Sequence, residues 1–112
     1  MKQALDFLED SRQLFYLLQD KSDEDFKMKT QFKNWTINDV IGHLHIFNFA
    51  VNLSLKSSND FEKFFSQIDK TLKKGSSLLG IQNQWLNGLA GQDLLEAWWK
   101  EARAVSKNFE II

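Results

Sequence analysis

Apolar residues recur three or four positions apart along most of the chain, which is the spacing of one face of an α-helix. Segments in which apolar and polar residues alternate, as in strands, are nearly absent. The pattern therefore predicts an all-α fold, most simply an antiparallel up-and-down helical bundle. Four helices are expected, from about Lys2 to Gln19, from Thr36 to about Lys56, from Ser58 or Asn59 to about Lys74, and from about Gln92 to Lys107.

Two connecting segments interrupt the helical pattern. The acidic break at residues 20–25 predicts a short capped turn that begins at Ser22. The irregular spacing that follows predicts an ordered loop held by three apolar side chains, Phe26, Met28 and Phe32. Residues 78–90 are too apolar for a solvated loop but contain Gly80 and Gly88, so one or two irregular helical turns are expected there.

The second predicted helix has the clearest start signal. Thr36 is followed three residues later by Asp39, a variant of the capping box in which each side chain binds the other residue's backbone N–H. Trp35 precedes this cap and is expected to pack onto Val40 or Ile41. Further along, a continuous apolar stripe is predicted from the 3–4 spacing of Val40, Leu44, Phe47, Val51 and Leu55.

Composition narrows the class of protein. The chain has 112 residues, a length typical of a single domain, here residues 1–112, and a formal net charge of −1 without a basic face, which argues against nucleic-acid binding. It has no cysteine, which excludes disulfides, Cys-ligated metal sites and a thiol nucleophile of its own. No apolar run has the length of a membrane span and no signal peptide is visible, so a cytoplasmic protein is expected.

The two histidines, His43 and His45, lie in the middle of the second predicted helix. Their spacing places them about 200° apart around the helix, so they cannot bind one metal ion together. Asp39 lies one turn before His43, and a contact between them would fix the tautomer of the imidazole. Alternatively, Asp39 only caps the helix and His43 is a partly buried, hydrogen-bonded side chain. His45 is expected to face solvent or a neighbouring helix.

Residues 35–44, Trp-Thr-Ile-Asn-Asp-Val-Ile-Gly-His-Leu, resemble the Trp-x-x-x-Asp-Val-x-x-His-Leu stretch of the DinB-like superfamily. The branch that they resemble most is the N-terminal domain of the mycothiol-dependent maleylpyruvate isomerases. Residues 94–103 are similar to a Leu-Leu-x-x-Trp-x-x-x-Arg run on the third bundle helix of that family, with Trp99 and Arg103 in register. Between them, the two segments extend the resemblance over nearly the whole chain.

The resemblance implies a DinB-like four-helix bundle in which His43 is the first ligand of a divalent metal ion, zinc or nickel. It further implies Asp39 as the residue that orients His43, and mycothiol or a similar thiol as the cofactor that the metal activates. The family completes its site with two ligands one turn apart on a later helix, one of them a histidine. No histidine follows His45 in this sequence, so His43 is the one ligand that the resemblance assigns.

Two functions follow as hypotheses. The first is a metal- and thiol-dependent transferase or isomerase, which binds a small-molecule substrate only if its site is completed. The second is a non-catalytic helical module that acts through self-association or protein contact. Ten Phe, four Trp and one Tyr provide much apolar surface, and a bundle without its last helix would expose part of it, so a homodimer is expected. The candidates for a pocket or interface are Trp35, Phe47, Trp98, Trp99 and Arg103; of the adjacent pair Trp98 and Trp99, one ring is expected in the core and the other at an interface.

Overall fold

The computed structural model describes residues 2–110 and confirms the all-α fold. It contains helices α1 (Lys2–Leu18), α2 (Ile37–Lys56), α3 (Ser58–Lys73), α4 (Leu78–Leu86) and α5 (Gly91–Glu110), with a 3-10 turn at Asp25–Lys27. No strand occurs between residues 2 and 110, where the one element of β pairing is an isolated bridge between Lys29 and Thr36. Over the same residues, no helix is both long enough and apolar enough to cross a membrane.

Helix α5 packs against both α2 and α1 and supplies most of the buried core. Helix α2 also contacts α3, α4 and the 3-10 turn, and α3 contacts α4. The buried apolar core is formed by α5 together with one residue each from α1, the 3-10 turn and α2: Leu94, Leu95, Trp98, Ala102, Leu18, Phe26 and Ile41. The described chain extends 39 × 38 × 22 Å. Its radius of gyration, 14.7 Å, exceeds the roughly 13 Å of a compact domain of this length, so the bundle is flat and leaves helix faces open.

Both predicted caps are confirmed. The Thr36 hydroxyl accepts from the Asp39 N–H at 3.1 Å, and the Asp39 carboxylate accepts from the Thr36 N–H at 3.0 Å. The same reciprocal pair joins Ser22 and Asp25, which begins the 3-10 turn in the acidic break. Each pair satisfies two backbone donors that a helical start otherwise leaves without partners.

Two predicted boundaries are corrected. Ser57, not Ser58 or Asn59, caps α3 by accepting from the Asp60 N–H. The segment expected to form irregular turns is a nine-residue helix, α4, because the Ser77 hydroxyl caps it at the Gly80 N–H. Asn87 ends α4 in the left-handed conformation. Of the two glycines, only Gly80 lies within α4 and lowers the stability of the helix, since Gly88 follows it.

The predicted loop anchors are only partly correct. Phe26 is fully buried, but the side chains of Met28 and Phe32 are 60% and 56% exposed. Phe32 instead packs edge-on against Trp35 at 5.4 Å between ring centroids. One buried ring and the bridge to Thr36 therefore hold this loop.

The predicted apolar stripe of α2 is covered only in part, because Leu44 packs against the core whereas two of the five residues are exposed. Phe47 is 61% exposed and Leu55 39% exposed. The residues of α2 that are buried are Ile41, Gly42, His45 and Asn48. The difference arises because α5 packs on one side of α2 while α3 and α4 pack on another, which leaves the Phe47 side uncovered.

The contact between α2 and α4 depends on Gly42. A Cβ atom at this position would lie 2.7 Å from Cδ1 of Leu86 and 3.0 Å from Nε2 of Gln82. The absent side chain lets Gln82, which is fully buried, donate from Nε2 to the backbone oxygen of Asp39 at 2.8 Å. This hydrogen bond fixes α4 beneath the first turn of α2.

Side chains from elsewhere in the chain hold the start of α5. The backbone N–H of Gln92 donates to the Asp23 carboxylate at 3.1 Å, and that of Gly91 donates to the side-chain oxygen of Asn38 at 2.8 Å. In return, the Gln92 side-chain amide donates to the backbone oxygens of Leu18 at 3.0 Å and Lys21 at 2.7 Å. The end of α1 and the start of α5 are thus joined by hydrogen bonds.

Replacing Gln92→Ala removes both amide hydrogen bonds to the end of α1. We expect the free energy of unfolding to fall by about 1–3 kcal/mol, the sum of two ordinary hydrogen bonds. Urea denaturation followed by circular dichroism measures this change. The control is Gln84→Ala at an exposed position of α4, for which a change within about 0.5 kcal/mol is expected; an equal loss in both variants would contradict the role of Gln92.

Candidate functional site

The two histidines lie on different sides of α2, as their spacing predicts. His43 is half-buried beneath the Trp35 ring, which meets it edge-on at 5.7 Å between centroids. His45 is only 8% exposed and lies 5.3 Å from the ring of Trp85 on α4. Of the two alternatives for His45, a neighbouring helix is therefore the correct one.

The surroundings of His43 match part of the second alternative, in which Asp39 only caps the helix and His43 is partly buried. The Asp39 carboxylate caps the helix through the Thr36 N–H, as the simpler alternative states. However, Nδ1 of His43 is buried and has no hydrogen-bond partner among residues 2–110, so neither Asp39 nor another described group orients the ring through that atom. A buried, unpaired imidazole nitrogen is a lone pair or an N–H that has lost water without replacement.

A metal ion would need more ligands than the described residues bring together. Within residues 2–110, no group of three His, Cys, Asp or Glu side chains lies close enough to hold one ion. His43 is therefore a single candidate ligand, and a lone imidazole binds a divalent metal weakly. The described part of the chain does not form a complete metal site, and no metal-dependent step follows from it alone.

The aromatic candidates on α5 belong to its contact with α1. Trp98 is 2% exposed and lies in the core, whereas Trp99 is half-buried and stacks on Phe15 of α1 at 5.2 Å with the ring planes 17° apart. The guanidinium of Arg103 lies 5.3 Å above the Trp99 ring, a cation–π contact. Trp98 is thus the core ring that was predicted, and the interface predicted for the other ring stays a prediction, since Trp99 packs here on α1 of the same chain. Trp35 alone of the aromatic candidates makes a ring contact with a histidine.

Phe47 lines an open apolar groove. The groove has a volume of about 320 Å³ and lies between α1, α2 and α5, with Phe7, Val51 and Val105 among its walls. His43 precedes Phe47 by one helical turn, so the two side chains lie on the same side of α2. The half-buried imidazole is therefore next to the uncovered side of the bundle.

A second feature, a polar cluster between α2 and α5, was not predicted. The amide of Asn52 donates to the Glu101 carboxylate at 2.7 Å and to the Glu101 backbone oxygen at 3.1 Å. Asn108 donates to the side-chain oxygen of Asn52 at 2.9 Å. A sequence signal for it exists, since His45, Asn48 and Asn52 recur at helical spacing within an otherwise apolar helix.

Burial lowers the pKa of His45 below its ordinary value, because the apolar surroundings disfavour the charged imidazolium. The negative charge of Glu101 acts in the opposite direction but is the smaller effect. His45 is therefore held neutral in the fold near pH 7, packed against Trp85.

Comparison of the chain with models of known protein families, with curated proteins and with solved structures finds no match. The resemblance to the DinB-like superfamily thus depends on the residues themselves.

The depressed pKa of His45 makes stability depend on pH. The unfolded chain takes up a proton near pH 6.5 and the folded chain does so only at lower pH, so stability falls as the pH is lowered below about 6.5. The contribution of His45 to the slope of the unfolding free energy against pH is at most about 1.4 kcal/mol per pH unit. Urea titrations between pH 7.5 and 5 measure it (roughly the range over which histidine titrates).

His45→Gln should remove the contribution of His45 to the pH dependence of stability. His43→Gln should keep that contribution, because His45 remains in place. An equal slope in wild type and His45→Gln would show that burial of His45 does not set the pH dependence.

Proposed function

We propose that this chain is a DinB-like helical protein of the maleylpyruvate isomerase type, in which His43 supplies one imidazole ligand to a divalent metal ion, zinc or nickel. The observation that supports this most is the position of His43 on the uncovered side of α2, where it is half-buried beneath Trp35. The capping box of Thr36 and Asp39 holds the helix start, and Trp35 lies over the imidazole, both in the register of the family motif.

The proposal requires ligands from outside the described residues, from another segment or from another copy of the chain. With a full set of ligands, such a metal ion lowers the pKa of a bound thiol and makes it a nucleophile. Mycothiol or a similar small thiol is the cofactor that this chemistry would use. In this chain, His43 would bind the metal, and Trp35 would exclude water from one face of the imidazole.

Nickel provides a direct test, since paramagnetic Ni²⁺ broadens the proton resonances of a histidine that binds it. In a titration of the purified chain with Ni²⁺, we expect the His43 ring resonances to broaden before those of His45, which is buried against Trp85. Binding should be weak, as it is for a single imidazole.

Two variants make this test specific. His43→Gln should abolish the broadening of Trp35, whose ring contacts His43, whereas His45→Gln should leave it unchanged. Broadening that begins at His45, or that persists at Trp35 in His43→Gln, would contradict the assignment of His43 as the ligand.

A second candidate function is that of a non-catalytic module that self-associates. The observation that favours it is the apolar groove, where Phe47 is 61% exposed although it lies beside the core residues of α5. Exposed aromatic surface of this kind is typical of protein interfaces. In this proposal the groove is the surface through which two copies form a dimer.

Sedimentation velocity over a range of protein concentrations tests the dimer. We expect Phe47→Glu to shift the protein to a monomer, because a carboxylate in an apolar interface loses its hydration. Phe65→Glu, at a residue of α3 that is 58% exposed, is the matched control and should leave the dimer intact. Chelators should not change the association; a wild-type protein that is monomeric at all concentrations, or that dimerises only with metal, would exclude this function.

A further inference from the structure

A large open cleft of the described chain lies on neither the His43 side nor the groove side of α2. It has a volume of about 580 Å³ and lies between the C-terminal halves of α2 and α5. Small-molecule sites typically have volumes of roughly 300–1,000 Å³. Its apolar wall includes Phe49, Leu53 and Ala104.

Apart from the exposed Lys56, the polar wall of the cleft is formed by Asn52, Glu101 and Asn108. The side-chain amide of Asn52 donates two hydrogen bonds to Glu101, to the carboxylate at 2.7 Å and to the backbone oxygen at 3.1 Å. The Asn108 amide in turn donates to the Asn52 oxygen at 2.9 Å. These hydrogen bonds hold the Glu101 carboxylate in one position, with its charge at the cleft. A ligand that matches this carboxylate must donate hydrogen bonds.

Glu101 forms no ion pair among residues 2–110, although the exposed Lys56 lines the same cleft. The three ion pairs found among residues 2–110 all lie elsewhere, on the α1, 3-10 and α3 surfaces. The other nearby basic group, His45, is neutral near pH 7, because burial lowers the pKa of its imidazole. A cation that binds directly at this half-buried carboxylate would therefore form a charge-assisted hydrogen bond that no described side chain makes.

We infer that this cleft binds a small aliphatic monoamine, whose ammonium group contacts Glu101 and whose alkyl chain lies on Phe49 and Leu53. Lys56 also lines the cleft and is exposed. A second cation on the ligand would face the Lys56 ammonium, so a monoamine is preferred over a diamine. This site is independent of the metal and dimer proposals above.

The test uses hexylamine, hexanoate and hexamethylenediamine as probes, followed by two-dimensional NMR of the full chain. Hexylamine should shift the resonances of Phe49, Asn52 and Asn108, and hexanoate should not. The diamine should bind more weakly than hexylamine. Equal binding of hexanoate would show apolar contact only, and the absence of shifts at these residues would remove the site altogether; either result overturns the inference.

Glu101→Gln keeps the size of the side chain and an oxygen that accepts from Asn52, but removes the charge. We expect the affinity for hexylamine to fall about tenfold or more, as for loss of a hydrogen bond to a charged group. Glu96→Gln, at an exposed position of α5, is the matched control and should not change the affinity. An unchanged affinity in Glu101→Gln would overturn the inference.

Lys56→Met provides a second variant that does not alter the core, because Lys56 is exposed. Removing this cation should raise the affinity for the diamine and change that for hexylamine less. If the diamine gains nothing, its second ammonium group does not lie near Lys56 and the proposed orientation of the ligand is wrong.

Discussion

Burial of one face of α5 against both α1 and α2 is the interaction on which the other elements depend. Leu94, Leu95 and Ala102 are fully buried there, and Trp98 is nearly so. Truncation of such a Trp side chain to Ala typically costs about 3–5 kcal/mol, against a total stability of about 5–15 kcal/mol for a domain. The same packing sets the position of α2, and through it the positions of both histidines and of the cleft that contains Glu101.

The described bundle is flat, and parts of its surface remain open. Among these are the apolar groove beside Phe47 and the cleft beside Asn52 and Glu101. The chemistry of each follows from the side of α2 that forms its wall. The first suits apolar protein surface and the second suits a hydrogen-bond donor with a positive charge.

The surroundings of the two histidines differ because other helices cover one side of α2 and leave another side open. His45 lies toward α4 and α5, loses its hydration and stays neutral near pH 7. His43 lies on the open side, where Trp35 covers its ring; Nδ1 of both histidines has no partner among the described residues. A two-residue offset on one helix thus separates a core residue from a candidate ligand.

Local features of the chain were predictable from the sequence, because they depend on neighbours within one or two helical turns. The helical periodicity, the capping box of Thr36 and Asp39, and the separation of His43 from His45 are of this kind. The buried face of α2 was not predictable, since Phe47 continues its apolar stripe but no described helix covers it. The cleft could be predicted even less from the sequence, because Asn52 lies 49 residues from Glu101 and 56 from Asn108 along the chain. Periodicity within a helix specifies which residues share a face, and only the packing of the other helices decides which face is covered.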